Sequence, residues 1–202
     1  MSKLILLIIV SYLIGSIPTA YITSKIKKNA DIRKEGSGNM GATNVLVVIG
    51  PLFGAIVYVV DLLKGLFPVL MARNVIGTSL SMGLCGMATI IGHVFPIYVG
   101  FNGGKGVATT TGVIFGINSI IGWLIYPIWI IFVLLTDRFI LSSLLCMLII
   151  PGLMFIFGQS PVFISFGFIY LLIGMFSHKN DILKIISGSE KSARGLIKKY
   201  IK

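Results

Sequence analysis

Residues 107–135 read VATTTGVIFGINSIIGWLIYPIWIIFVLL, without one charged side chain. A helix needs roughly 20 apolar residues to cross a bilayer. At 29 residues this stretch is too long for one ordinary crossing and short for two. Asn118, Ser119 and Gly122 offer a turn at its centre. Splitting the stretch there into two crossings decides the topology of the whole chain.

Further apolar runs lie on either side, at 4–23, 45–71, 79–99, 139–157 and 162–176. The count is seven crossings, with five or six left open. The first run has only Lys3 before it and no small-residue cleavage site after it, so it reads as a retained helix rather than a signal peptide. Of the 202 residues, 56% are hydrophobic and 11% charged, and the mean hydropathy is +1.01. Soluble domains carry about 25% charged residues. A surface made from this inventory would expose large apolar patches to water. The expected fold is therefore an all-α, polytopic membrane helical bundle forming one domain over 1–202. Disorder and a secreted disulfide scaffold are excluded. Cys85 and Cys146 sit in apolar runs as small hydrophobes, without metal-ligand spacing.

The 17 Lys and Arg against six Asp and Glu give a net charge of +11. On a soluble domain this would suggest nucleic acid, but here the charges fall between apolar runs. Cytoplasmic loops are enriched in Lys and Arg. With seven crossings, one side holds Lys25, Lys27, Lys28, Arg33, Lys34, Lys105, Arg138 and the basic residues after Ser177, and the other holds Lys3 and Arg73. The N-terminus is expected outside and the C-terminus in the cytoplasm. Residues 177–202 read as an amphipathic basic tail at the headgroup level.

The unusual polar residues all fall on the cytoplasmic side of this topology. Residues 36–44 read Gly-Ser-Gly-Asn-Met-Gly-Ala-Thr-Asn. Three glycines permit left-handed backbone and close approach to a ligand. Ser37, Asn39, Thr43 and Asn44 supply short hydrogen-bonding groups, and Thr43 and Asn44 would cap the second crossing. A flexible turn with a cap accounts for the same residues. A second loop carries Gly103-Gly104-Lys105-Gly106 just before a helix. Backbone N–H groups, the helix N-terminus and one lysine together make an anion cradle. It is not a P-loop, because Gly106 stands where Ser or Thr would follow the lysine. His93 lies a turn or two away, and His178 opens the tail with a pKa range suited to acid–base work. Asp61 and Lys64, three residues apart within a crossing, read as a neutralised structural pair.

Taken in order, these segments resemble the PlsY family, the bacterial membrane glycerol-3-phosphate acyltransferases that use acyl phosphate. Residues 37–44 are similar to its first motif. Asp61-Leu62-Leu63-Lys64-Gly65 is similar to its DxxKG segment, and 92–96 with 101–109 to its second motif. Residues 178–190, with Gly188-Ser189-Glu190, are similar to its third. The resemblance implies a seven-helix membrane fold and transfer of an acyl group to the sn-1 hydroxyl of glycerol 3-phosphate. It implies Ser37, Lys105 and His178 as candidate catalytic positions. Gly38, Asn39, Gly41, Thr43, Asn44, His93, Gly103, Gly104, Gly106, Asn180 and Asp181 are the candidate substrate-binding positions. A serine early in the sixth crossing also belongs to the site, and Ser142 and Ser143 both match it. No cofactor, metal or nucleic acid is implied. The partners are acyl phosphate, glycerol 3-phosphate and membrane lipid, and the place is the bacterial cytoplasmic membrane with the site facing the cytoplasm.

Two positions depart from the family pattern. Val47 stands where an arginine would clamp phosphate, and Asp181 where an asparagine is usual. Either another base such as Lys179, Arg33 or Lys34 is recruited, or the chain is a divergent paralogue, non-catalytic or acting on a different acceptor. A transporter of a phosphorylated solute is the remaining alternative.

Overall fold

The computed structural model describes residues 1–190 and 192–195, and among these every regular element is helical. The tail expected over 177–202 thus lies partly outside the described residues. The chain forms two compact units, Met1–Asn118 and Ser119–Lys202.

The first unit begins with α1 (Ser2–Gly15) and α2 (Thr19–Lys28), which occupy the first expected crossing. That run is not one uninterrupted helix. Pro18 has no N–H to donate, and the residue before a proline is pushed away from helical backbone, so the chain breaks between the two. A 3-10 turn (Ile32–Lys34) leads to α3 (Ala42–Val48) and α4 (Pro51–Val75). The second crossing therefore starts at Pro51 and not at Val45. Gly50, at φ 142°, adopts backbone open mainly to glycine, and Pro51 then starts the helix where its missing N–H is not needed. Then come α5 (Ser79–Val94) and α6 (Val107–Ile117).

Small residues hold these helices together. A side chain at Gly15 would meet the Thr89 carbonyl, and one at Gly92 the Tyr12 carbonyl, so α1 and α5 cross backbone to backbone. Gly65 against Thr109 and Gly112 against Leu62 do the same for α4 and α6. Lipid tails are as apolar as leucine, so close van der Waals packing drives such contacts in a bilayer.

The second unit holds α7 (Ser119–Thr136), α8 (Phe139–Ile156), α9 (Pro161–Ser177) and α10 (Lys179–Ile186). The uncharged 107–135 stretch does divide at Asn118. Among the described residues five helical spans are long and apolar enough to cross a membrane, and α9 with α10, bent by 70°, gives a sixth candidate. The 11-residue α6 is about 17 Å long, short of the hydrocarbon thickness of about 30 Å.

Candidate active site

The first glycine loop is built around one amide. Asn44 is buried, and its Oδ1 accepts the Ser37 N–H at 2.9 Å. Its Nδ2 reaches the carbonyls of Ile32 at 3.2 Å, Glu35 at 3.0 Å and Asn39 at 3.0 Å. Asn44 therefore shapes the loop from within. It does not cap the second crossing, and neither does Thr43. Both lie in the first turn of α3, whose N-cap is Gly41 without a side-chain cap bond. Gly36 and Gly38 have φ of 58° and 74°, and a side chain at Gly36 would strike the Asn44 amide. Beneath the loop Ile32, Met40 and Val45 pack with Ala20 and Val57 in one apolar cluster. The loop thus presents Ser37 and Thr43 exposed and Asn39 half-buried on a fixed base.

Arg33 ties this loop to the second. Its guanidinium forms a two-pronged pair with Asp31, with contacts of 3.0 and 2.7 Å, and donates to the Val99 carbonyl at 2.8 Å. It also lies over the Tyr21 ring, 5.3 Å from its centroid. The hydrogen bond from Arg33 holds the Asp31 carboxyl down at about 2. Arg33 is committed to this joint and does not replace the arginine missing at Val47.

The second loop folds back on the end of α5. The Gly104 N–H donates to the His93 carbonyl and the Gly103 N–H to the Val94 carbonyl, both at 3.1 Å. These two N–H groups are used within the protein, so the expectation that they face an anion does not hold for them. The close return explains the glycines. A side chain at Gly103 would meet the His93 carbonyl, and one at Gly104 the His93 ring and the Met40 carbonyl. Gly106, at φ 84°, is the N-cap of α6. The N–H groups of the first turn of α6 have no carbonyl of their own helix to bind. Lys105, half-buried, stands directly before them. One cation and a helix N-terminus at the mouth of this loop suit a phosphate.

His93 itself is buried beneath the loop. Its Nδ1 lies 3.9 Å from Asp61, which pairs with Lys64 at 2.8 Å. Lys64 also donates to the Ile17 carbonyl at the α1–α2 break, at 2.9 Å. The expected pairing of Asp61 with Lys64 is thus observed.

In the second unit Ser142 and Ser143 differ. Ser142 is fully buried, donates to the Arg138 carbonyl at 2.6 Å and touches the Thr136 hydroxyl at 3.1 Å. Ser143 donates to the Phe139 carbonyl and accepts from the Trp129 indole at 3.1 Å. His178 is buried at the turn between α9 and α10, and its Nδ1 is 2.8 Å from the Gly174 carbonyl. A carbonyl only accepts, so Nδ1 carries the proton in this bond. Asn180 is exposed. Asp181 is buried, donates its N–H to the His178 carbonyl at 2.8 Å and lies 3.9 Å from Lys184. Lys179 lies over the Phe176 ring. Sequence reasoning missed Asp137, which accepts from the Ser192 hydroxyl at 2.6 Å and the Arg194 N–H at 3.0 Å. The bond from Ser192 holds the Asp137 carboxyl below its ordinary range. Among the described residues no three His, Cys, Asp or Glu side chains converge as metal ligands.

Comparison with known proteins gives a consistent result. A family model described as glycerol-3-phosphate acyltransferase matches residues 5–188. The chain is 38% identical over 186 residues to the glycerol-3-phosphate acyltransferase of Thermotoga petrophila, covering 91% of this chain and 93% of that one. It is 39% identical over 200 residues to that of Endomicrobium trichonymphae, covering 96% and 98%. The crystal structure of PlsY (YgiH), an integral membrane glycerol 3-phosphate acyltransferase, in its glycerol 3-phosphate form matches with a TM-score of 0.90 at 31% identity, over 94% of this chain and 95% of that one. The lysophosphatidic acid form matches with a TM-score of 0.89 at 28% identity, over 96% and 98%.

Proposed function

The chain belongs to the glycerol-3-phosphate acyltransferase family, and from that premise we propose that its donor is an acyl phosphate and its acceptor the sn-1 hydroxyl of glycerol 3-phosphate. It is an integral, multi-pass membrane acyltransferase of phospholipid synthesis. The observation that carries the reading is the loop at 103–106. It is pinned to the end of α5 by two hydrogen bonds and delivers Lys105 to the open N-terminus of α6.

In the proposed step the acceptor hydroxyl oxygen bonds to the acyl carbon. The bond from that carbon to the phosphate oxygen breaks, and phosphate leaves with the electron pair. The hydroxyl proton passes to a base, for which the His178 imidazole and a phosphate oxygen of a substrate are the two candidates. Lys105 and the first-turn N–H groups of α6 stabilise charge on phosphate, and Ser37 and Thr43 orient the acceptor. Holding two reactants in line supplies about 7–11 kcal/mol of the barrier reduction in well-oriented systems. The donor carries its own leaving group, so the step takes no cofactor. We place the N-terminus outside, the C-terminus inside, and both loops on the cytoplasmic face of a bacterial membrane.

The test is a donor comparison in purified protein. Palmitoyl phosphate should support acyl transfer to glycerol 3-phosphate and palmitoyl-CoA should not. Lys105→Ala should lower turnover by about tenfold to a hundredfold, the loss of one charged hydrogen bond of about 1.5–3 kcal/mol. Equal use of both donors contradicts the donor assignment. A folded Lys105→Ala protein with normal rates moves the phosphate site elsewhere. Full turnover in His178→Ala gives the proton to a substrate phosphate oxygen instead.

A further inference from the structure

His93 grips one glycine from two directions. Its carbonyl accepts the Gly104 N–H, and its imidazole Nε2 lies where a side chain at Gly104 would be. The Met40 carbonyl of the first loop meets the same point. The far side of the ring faces α4, where Nδ1 is 3.9 Å from Asp61 Oδ1. That distance is beyond a hydrogen bond, and Nδ1 is buried with no hydrogen-bond partner among the described residues. A shift of about 1 Å brings Nδ1–H onto the carboxylate at charge-assisted length. Lys64 pairs with the same carboxylate at 2.8 Å. An apolar pair would fill α4 without burying two polar side chains, so the buried pair calls for a use.

We infer that Asp61 and His93 form a positioning pair for the glycine–lysine loop. Asp61 sets the orientation of the ring, the ring sets the height of Gly104 above the end of α5, and Gly104 sets where Lys105 stands relative to α6. The inference rests on the reading of that loop as the phosphate site. His93 acts through the loop and does not itself take part in the chemistry. A misplacement of about 1 Å in such a group costs on the order of a hundredfold in rate or affinity.

The experiment compares His93→Leu, His93→Gln and Lys105→Ala in the full-length protein in lipid nanodiscs, with each substrate varied and rates scaled to folded protein. Leucine keeps the volume and removes both nitrogens, whereas glutamine returns an amide near Nε2. His93→Leu should raise the KM of one phosphate-bearing substrate by about tenfold or more and leave the other near wild type. His93→Gln should recover most of the loss. Unchanged KM values with a lower maximal rate, or glutamine no better than leucine, overturn the inference. Lys105→Ala separates it from its premise. Normal kinetics there remove the phosphate-loop reading and the inference with it. Impaired Lys105→Ala beside normal His93→Leu overturns the inference alone.

Discussion

Replacing Asn44 with alanine should unfasten the first glycine loop while leaving the helices intact. The amide makes four contacts at 2.9–3.2 Å, with Ser37, Ile32, Glu35 and Asn39. At about 0.5–1.5 kcal/mol each they sum to about 2–6 kcal/mol. Ser37 and Glu35 are exposed, so water replaces two of the partners and the lower part of that range applies. A loss of about 2–4 kcal/mol multiplies the open population of the loop by about 30 to 1,000. Hydrogen exchange in nanodiscs reads this directly. Protection over residues 36–44 should fall by that factor, with the Ser37 N–H leading, while α4 and α5 exchange as in wild type. Acyl transfer should fall with it. Asn44→Asp keeps the acceptor for Ser37 but sets a negative charge among three carbonyls, so it should be no better than alanine. Wild-type protection and wild-type transfer in Asn44→Ala would refute the claim that this side chain organises the loop.

Three further outcomes follow from the same structure. The Asp31 carboxyl titrates lower in the folded protein, at about 2, than its ordinary value of 3.8. Its contribution is present above the ordinary value and lost as pH falls through the folded one. The difference in loop protection between wild type and Asp31→Asn should hold steady near neutral pH and close as pH falls from 3.8 towards 2; a difference that grows on acidification contradicts the pairing. Val47→Arg should lower the KM for glycerol 3-phosphate by adding a bidentate phosphate contact, and a wild type already saturated at about micromolar acceptor would show that the contact is compensated. A reporter inserted at Asn74 should be outside and one fused after Lys202 inside, and both on one side would rule out the seven-crossing topology.

The broad fold was legible because composition constrains a membrane chain so tightly. Every long uncharged run had to become a helix, and the break at Asn118 followed from the length of the 107–135 stretch together with the turn residues at its centre. The breaks before Thr19 and Pro51 were also written in the sequence, as Pro18 and as Gly50-Pro51, but a hydropathy reading runs across them. Gly103, Gly104 and Lys105 were legible as a tight glycine turn before a helix, yet their hydrogen bonds were not. Which N–H groups are consumed depends on how the chain returns over α5, a long-range fact. Asn44 was misread for the same reason: its type fits a cap, and only the course of 32–39 shows that the amide turns inward. The coupling of the two loops through Arg33 needs Val99, 66 residues away, and no local pattern encodes it. Ser142 and Ser143 are adjacent and chemically alike; the helix rotation that buries one and gives the other to Trp129 separates them.

Whether this chain moves an acyl group from acyl phosphate to glycerol 3-phosphate is read most directly from a coupled product measurement. Purified protein in nanodiscs is given palmitoyl phosphate, with and without glycerol 3-phosphate, and inorganic phosphate and lysophosphatidate are quantified together. Phosphate should appear only when the acceptor is present, in equal amount to lysophosphatidate. Phosphate release without acceptor, or no product from folded protein under either condition, would contradict it.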